Sequence, residues 1–128
     1  MIEIFAYAAC LILICLALFQ LALIFGAPIG RFAWGGKHDV LPAKLKVGSA
    51  ISITLYAFFA VVLLDKAGIT DVIGNSDAVQ IIIWVVTGYF FIGIAMNAIS
   101  RSKSERMAMT PAALALAVLF LIVAMSFK

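Results

Sequence analysis

Long apolar runs separated by short polar segments make up the hydropathy pattern of this 128-residue chain. The runs predict helices at about residues 4–25, 42–64, 78–99 and 111–127. A bilayer core about 30 Å thick takes about 20 helical residues, so each run is long enough to span it, the fourth only just. The pattern therefore predicts an all-α membrane protein, a four-transmembrane-helix bundle that forms a single domain over residues 1–128.

Three sequence signals place the ends of these helices. Gly26 is expected to stop the first helix. Asp77 with Gln80 makes a D-x-x-Q pattern that can cap the third helix. Thr110 followed by Pro111 predicts the N-cap and the first residue of the fourth helix.

Two short segments of the chain resemble each other. Residues 41–47 and 110–116 have similar sequences, and each segment follows a basic loop. The chain can therefore be interpreted as two parallel-repeat hairpins, related by an axis along the membrane normal. The match is short and apolar helices resemble one another by chance, so a bundle without duplication is the open alternative.

Composition and charge support the membrane interpretation and add an orientation. The chain is 66% hydrophobic, against about 45–50% apolar residues in a soluble domain. Seven of the nine basic residues lie in the predicted first and third loops, namely Arg31, Lys37, Lys44, Lys46, Arg101, Lys103 and Arg106. Because Lys and Arg mark the cytoplasmic side, both loops are expected in the cytoplasm and both termini outside it.

Several kinds of chemistry find no support in the chain. No Asp, Glu, Lys, Arg or His lies in the middle of a predicted span, whereas proton- or cation-coupled pumps usually need one at that depth. Cys10 and Cys15 lie about 140° apart on a helix, which is poor for joint metal ligation. No phosphate loop, zinc motif or nucleophile elbow is present. We expect no enzyme activity, catalytic residue, metal, cofactor or nucleic-acid partner.

Uncharged polar residues fall on one face of the second and third predicted helices. The spacings are i, i+3, i+7 and i, i+4, i+8, i+11, and the residues are Ser49, Ser52 and Tyr56, then Tyr89, Gly93, Asn97 and Ser100. With Gln20 of the first helix, they predict a polar pocket open to the cytoplasm between helices one to three. The alternative is interhelical hydrogen bonding that only holds the bundle together. The fourth helix is interpreted as lipid-facing or packing, with Ala113 and Ala117 as a small-residue contact.

The first loop is unusually apolar and holds the remaining candidates for ligand contact. Trp34 is expected at the headgroup level, and the loop is expected to fold back beside the third loop. His38 is interpreted as a pH sensor or substrate contact, or as an exposed interfacial side chain. Arg31 and Arg101 either recognise an anionic ligand or set topology and contact anionic lipid. The candidate ligand-binding residues are therefore Gln20, Arg31, Trp34, His38, Ser49, Ser52, Tyr89, Asn97 and Arg101.

The two basic loops also carry a family resemblance. The segments GAPIGRFAWGGKHDVLPAKLKVGSA, residues 26–50, and SRSKSERMAMTPAALALA, residues 100–117, resemble a family of small bacterial four-helix inner-membrane proteins. The resemblance implies a bacterial inner-membrane location and directs attention to these loops. It supplies no activity and no ligand residue.

Two functions remain open at this point. The first is an oligomeric transporter or channel for a small solute or ion. The alternative is an accessory or scaffold protein that packs against another membrane protein or organises anionic lipid. The expected partners are membrane lipids with anionic headgroups at the cytoplasmic face, further copies of the chain, or another membrane protein.

Overall fold

A computed structural model describes residues 1–126 of the chain and shows only helices and connecting segments there. The four helices are α1 (Ile2–Ile24), α2 (Ala43–Lys66), α3 (Ser76–Ala98) and α4 (Lys103–Ala124). Each is long and apolar enough to cross a membrane. The predicted fold class, a four-transmembrane-helix bundle, is therefore confirmed, and the protein is a small integral membrane protein.

The helices pack in a ring in which sequence neighbours are also spatial neighbours. α3 packs most extensively against α4, α1 packs against α2, and α1 also contacts α4. The contact between α2 and α3 is the weakest of the four sides. Loop 1, residues 25–42, and loop 3, residues 99–102, lie at one end, which we call the basic end. Loop 2, residues 67–75, lies at the opposite end.

Two helix starts differ from the predicted ones. The carboxamide of Asn75, two residues before Asp77, accepts the backbone N–H of Ala78 at 3.0 Å and caps α3. α4 begins at Lys103, because the hydroxyl of Ser102 accepts the backbone N–H of Glu105 at 3.2 Å. The predicted start of the fourth helix was therefore wrong.

Pro111 lies inside α4 instead of opening it. A proline within a helix removes one backbone hydrogen bond, and packed transmembrane helices tolerate this loss. The equivalent proline of the proposed repeat, Pro42, is the N-cap residue of α2. The two prolines hold different helix positions, so the structure removes this argument for a repeat, and duplication stays a prediction.

The core of the bundle is centred on α4. Phe120 is fully buried, and its ring centroid lies 5.0 Å from that of Phe90 on α3. The Phe90 ring in turn meets Phe59 of α2 at 5.5 Å. Ala113 and Ala117 are buried, which confirms the predicted small-residue packing contact of this helix. Leu114 and Val118 are exposed on its other face, so α4 packs on one side and presents apolar residues outward on the other.

Side chains of α2 and α3 satisfy backbone groups near the end of α4. The ammonium group of Lys66 donates to the carbonyl of Ser126 at 3.0 Å. The Gln80 carboxamide donates to the carbonyl of Ala124 at 3.3 Å. Because the last carbonyls of a helix have no partner within it, these contacts tie three helices together at the end opposite the basic end.

Candidate functional site

A cavity of about 620 Å³ occupies the half of the bundle next to the basic end. Walls come from all four helices and from loops 1 and 3. Met109, Ala113 and Leu116 of α4 are part of the lining, so the predicted pocket between helices one to three gains a fourth wall. The deep end lies at Tyr89 and Phe90, where the aromatic core begins. The volume lies within the range of about 300–1,000 Å³ typical of small-molecule sites.

The structure brings together five of the nine candidate residues. The cavity is lined by Gln20, Trp34, Ser52, Tyr89 and Asn97. Their shared location follows from the helical spacing that placed polar residues on one face of α2 and of α3. Whether these residues bind a ligand stays a prediction.

The other four candidates lie outside the lining. Ser49 is buried beneath Trp34 and accepts a hydrogen bond from its indole N–H at 3.4 Å. Arg31, His38 and Arg101 are exposed and do not line the cavity. The two arginines and the histidine therefore belong to the outer surface of the basic end.

Gly93 distinguishes a pocket from a packing contact on α3. It lies in the polar stripe between Tyr89 and Asn97, and all three residues line the cavity. A Cβ atom built at Gly93 meets no atom within 4 Å. Close helix packing against a glycine leaves no such space, so this part of the stripe faces the cavity.

Gln20 carries a polar atom without a partner inside this site. The side chain is 8% exposed, and its Oε1 atom accepts no hydrogen bond within residues 1–126. The same carboxamide interacts with the hydroxyl group of Tyr56, which also lines the cavity. An unsatisfied buried acceptor costs about 1–3 kcal/mol. A hydrogen-bond donor that enters the cavity would recover part of this cost.

Trp34 forms the cavity wall that loop 1 contributes. Its φ of +52° is in the left-handed region, which costs a bulky residue about 1–3 kcal/mol. Packing on α2 compensates, because Gly48 lets the indole ring approach so closely that a Cβ there would lie 2.9 Å from it. The ring is 42% exposed, so Trp34 joins the loop to the helix and faces outward as well.

Loop 1 also lies directly against loop 3. The hydroxyl group of Ser102 donates a hydrogen bond to the backbone carbonyl of Arg31. Within loop 1, the Gly30 N–H donates to the Asp39 carbonyl at 2.8 Å and closes the loop on itself. These contacts confirm the prediction that the two loops lie side by side.

We expect Trp34→Ala to loosen loop 1. The substitution removes the contact with Gly48 and the hydrogen bond to Ser49, together worth about 1–2 kcal/mol. Amide hydrogen exchange of residues 30–39 in nanodiscs should then accelerate about tenfold or more. The control is Lys37→Ala, which truncates an exposed side chain of the same loop. Equal exchange rates in both variants would contradict the anchoring role of Trp34.

Glu105 is a residue of this site that the sequence reasoning did not select. Among the cavity-lining residues it is the one with a charged side chain. Its carboxylate accepts a hydrogen bond from the hydroxyl of Ser100, and within residues 1–126 no basic group lies within ion-pair distance of it. Glu105 stands in the first turn of α4, where the helix dipole favours negative charge. The S-x-x-E pattern at Ser102 could have revealed this position.

The described part of the chain contains no group of three His, Cys, Asp or Glu side chains that could hold a metal ion. Comparison with protein-family models, curated proteins and solved structures gave no match, so the loop resemblance to small bacterial membrane proteins gains no support from it. The function proposed below therefore depends on the residues of this chain.

Proposed function

We propose that this protein moves a small solute across the membrane and that the cavity is its binding site. The observation that carries the proposal is a cavity that reaches the loops at the basic end and ends at packed aromatic rings. Phe59, Phe90 and Phe120 form that barrier, with ring centroids 5.0–5.5 Å apart. A cavity that reaches the loops at one end and is closed by packed side chains at the other has the form expected of one state in an alternating-access cycle.

The unequal packing of the ring supports a simple motion. α1 with α2 and α3 with α4 form the two closely packed pairs, and α2 contacts α3 least. Separation of α2 from α3 at the Phe59–Phe90 contact would extend the cavity toward the opposite end. The middle of each span carries no Asp, Glu, Lys, Arg or His, so we propose movement down a gradient without proton coupling.

The proposal includes a location and an assembly. We place the protein in a bacterial inner membrane, as the loop resemblance implies, with the basic end in the cytoplasm, following the Lys and Arg excess at that end. We further propose a homo-oligomer, because four short helices enclose little volume alone.

Cysteine labelling tests the orientation. After Cys10 and Cys15 are replaced by Ala, Asp71→Cys in loop 2 should react with a membrane-impermeant maleimide added to intact cells. Lys103→Cys at the basic end should react only after the membrane is opened. Both side chains are exposed in the structure. A failure to react with the maleimide therefore reports the membrane barrier and not burial within the protein. External labelling of position 103 would reverse the orientation.

The exposed basic residues support the second candidate function, a scaffold that organises anionic lipid. Arg31, Lys37, Arg101 and Lys103 are exposed at the basic end, and within residues 1–126 none forms an ion pair. Juxtamembrane Lys and Arg attract anionic headgroups by about 1 kcal/mol each. In this alternative the cavity carries no solute.

A flux assay separates the two candidates. We expect the reconstituted protein to admit ethidium into DNA-loaded liposomes or to release trapped carboxyfluorescein faster than protein-free liposomes do. Gly93→Leu should reduce this flux to the protein-free level, because a leucine side chain there enters the cavity. A Cβ atom at Gly93 meets no atom within 4 Å, so the substitution begins in free space.

Gly88→Leu is the matched control. Gly88 lies on the same helix, a Cβ atom there also meets no atom within 4 Å, and it does not line the cavity. We expect this variant to retain wild-type flux. Absence of flux for both probes, or equal flux in the two leucine variants, would contradict the transport proposal.

A further inference from the structure

We infer that the cavity binds an amphipathic organic ammonium ion, with the charged nitrogen near Glu105 and Gln20 and the apolar body between aromatic rings. This inference names the ligand class of the proposed transport site. Binding and flux are separate measurements, so the ligand class can be tested even if the protein transports nothing.

Charge gives the first step of the argument. Glu105 lines the cavity, whereas no Lys or Arg within residues 1–126 does. Arg106 is turned to the carbonyl of Ser100, to which its guanidinium donates at 2.9 Å. The wall therefore offers a negative group without a positive counterpart, and an organic cation can supply the missing charge. An organic anion in the same cavity would be repelled by this carboxylate.

Hydrogen bonding gives the second step. The Oε1 atom of Gln20 is an acceptor with no partner within residues 1–126. A primary ammonium group carries three N–H donors, enough to serve an acceptor and a carboxylate. The hydroxyl of Tyr56 lies beside Gln20 and can accept as well. The polar groups of the site thus favour a ligand that donates hydrogen bonds.

Aromatic side chains give the third step. The cavity lining includes the rings of Phe19, Phe32, Trp34, Tyr56, Tyr89 and Phe90. The negative faces of aromatic rings attract cations that lie over them. The same rings bury apolar groups, so one site can hold both parts of an amphipathic cation.

Matched ligands test the inference on the intact protein in detergent. We expect 3,3-diphenylpropylamine, which is protonated at neutral pH, to bind at least about tenfold more tightly than 3,3-diphenylpropanoate, which has similar size and opposite charge. Equilibrium dialysis measures both affinities. The Gly93→Leu protein in the same micelles gives the background from partition into detergent. Equal or tighter binding of the carboxylate would overturn the inference.

Two variants locate the charged nitrogen. Glu105→Gln should weaken binding of the amine about tenfold and leave the carboxylate ligand unaffected or better bound. Asp71→Asn is the control, since it makes the same charge change in loop 2, away from the cavity. An equal effect of both substitutions would show that only the overall charge of the protein matters and would overturn the assignment of Glu105.

Gln20→Leu tests the hydrogen bond. It should weaken 3,3-diphenylpropylamine about fivefold to tenfold and leave the trimethylammonium analogue, which has no N–H donor, unchanged. The ratio of the two affinities does not depend on how much of the variant is folded. An unchanged ratio would remove Gln20 from the site. Amine binding without flux would reject transport alone, and flux of carboxyfluorescein alone would reject the ammonium ligand alone.

Discussion

Phe120→Ala should lower the free energy of unfolding by about 2–4 kcal/mol. Phe120 is fully buried and packs on Phe90, which in turn packs on Phe59. The substitution leaves a void where three helices meet. Because the unfolded helices remain in an apolar environment, lost packing supplies most of the cost, and we expect a value at or below that of soluble proteins.

Val118→Ala is the control for this prediction. Val118 lies on the same helix and is 42% exposed on the outer face of the bundle. Its truncation should change the free energy of unfolding by less than about 0.5 kcal/mol. Unfolding titrations with dodecyl sulfate in mixed micelles measure both variants. Similar losses would show that the aromatic cluster does not hold the bundle together.

Ala117→Leu should be the most disruptive single substitution of a small residue. Ala117 is 0% exposed and belongs to the main core cluster. A leucine side chain at this position has no free volume and forces α4 away from its neighbours. We expect this to lower the free energy of unfolding by about 1–3 kcal/mol or more. The yield of folded protein and the midpoint of the dodecyl sulfate titration should both fall.

Ala57→Leu is the control, because it makes the same alanine-to-leucine substitution at a position where the larger side chain has room. Ala57 lies on the exposed face of α2, where a leucine side chain replaces contact with lipid by a similar apolar contact. We expect wild-type stability for this variant. Loss of stability at position 57 and tolerance at position 117 would mean that the buried face of the bundle is wrongly assigned.

The sequence was sufficient to predict four helices, for a physical reason. A span needs about 20 apolar residues. The four long apolar runs of this chain stand out clearly from the short polar segments between them. The helix ends were harder to predict, because residues that can cap a helix occur at more than one position near each end. Thr110 and Pro111 form a good start signal in isolation, yet Ser102 and Glu105 form another about two turns upstream. The earlier signal prevails because the bundle tolerates the proline.

The candidate site was only partly predictable. Helical periodicity correctly placed Ser52, Tyr89 and Asn97 on faces that meet. No periodic pattern reveals a gap between helices, which depends on how closely α2 and α3 approach each other in the assembled ring. The role of Trp34 depends on a left-handed backbone conformation and on close approach to Gly48. Both features arise from tertiary packing.

The packing of α4 against both α3 and α1 has a consequence for biogenesis. Ribosomes deliver α4 after the other three helices, so α1, α2 and α3 enter the bilayer before it. α3 packs most extensively against α4, and α1 also contacts it, so the faces of α3 and α1 that meet α4 in the finished bundle face lipid or the insertion machinery until α4 arrives. Membrane insertion of the first hairpin and closure of the core are therefore separate events, and the second sets the moment at which the cavity first exists.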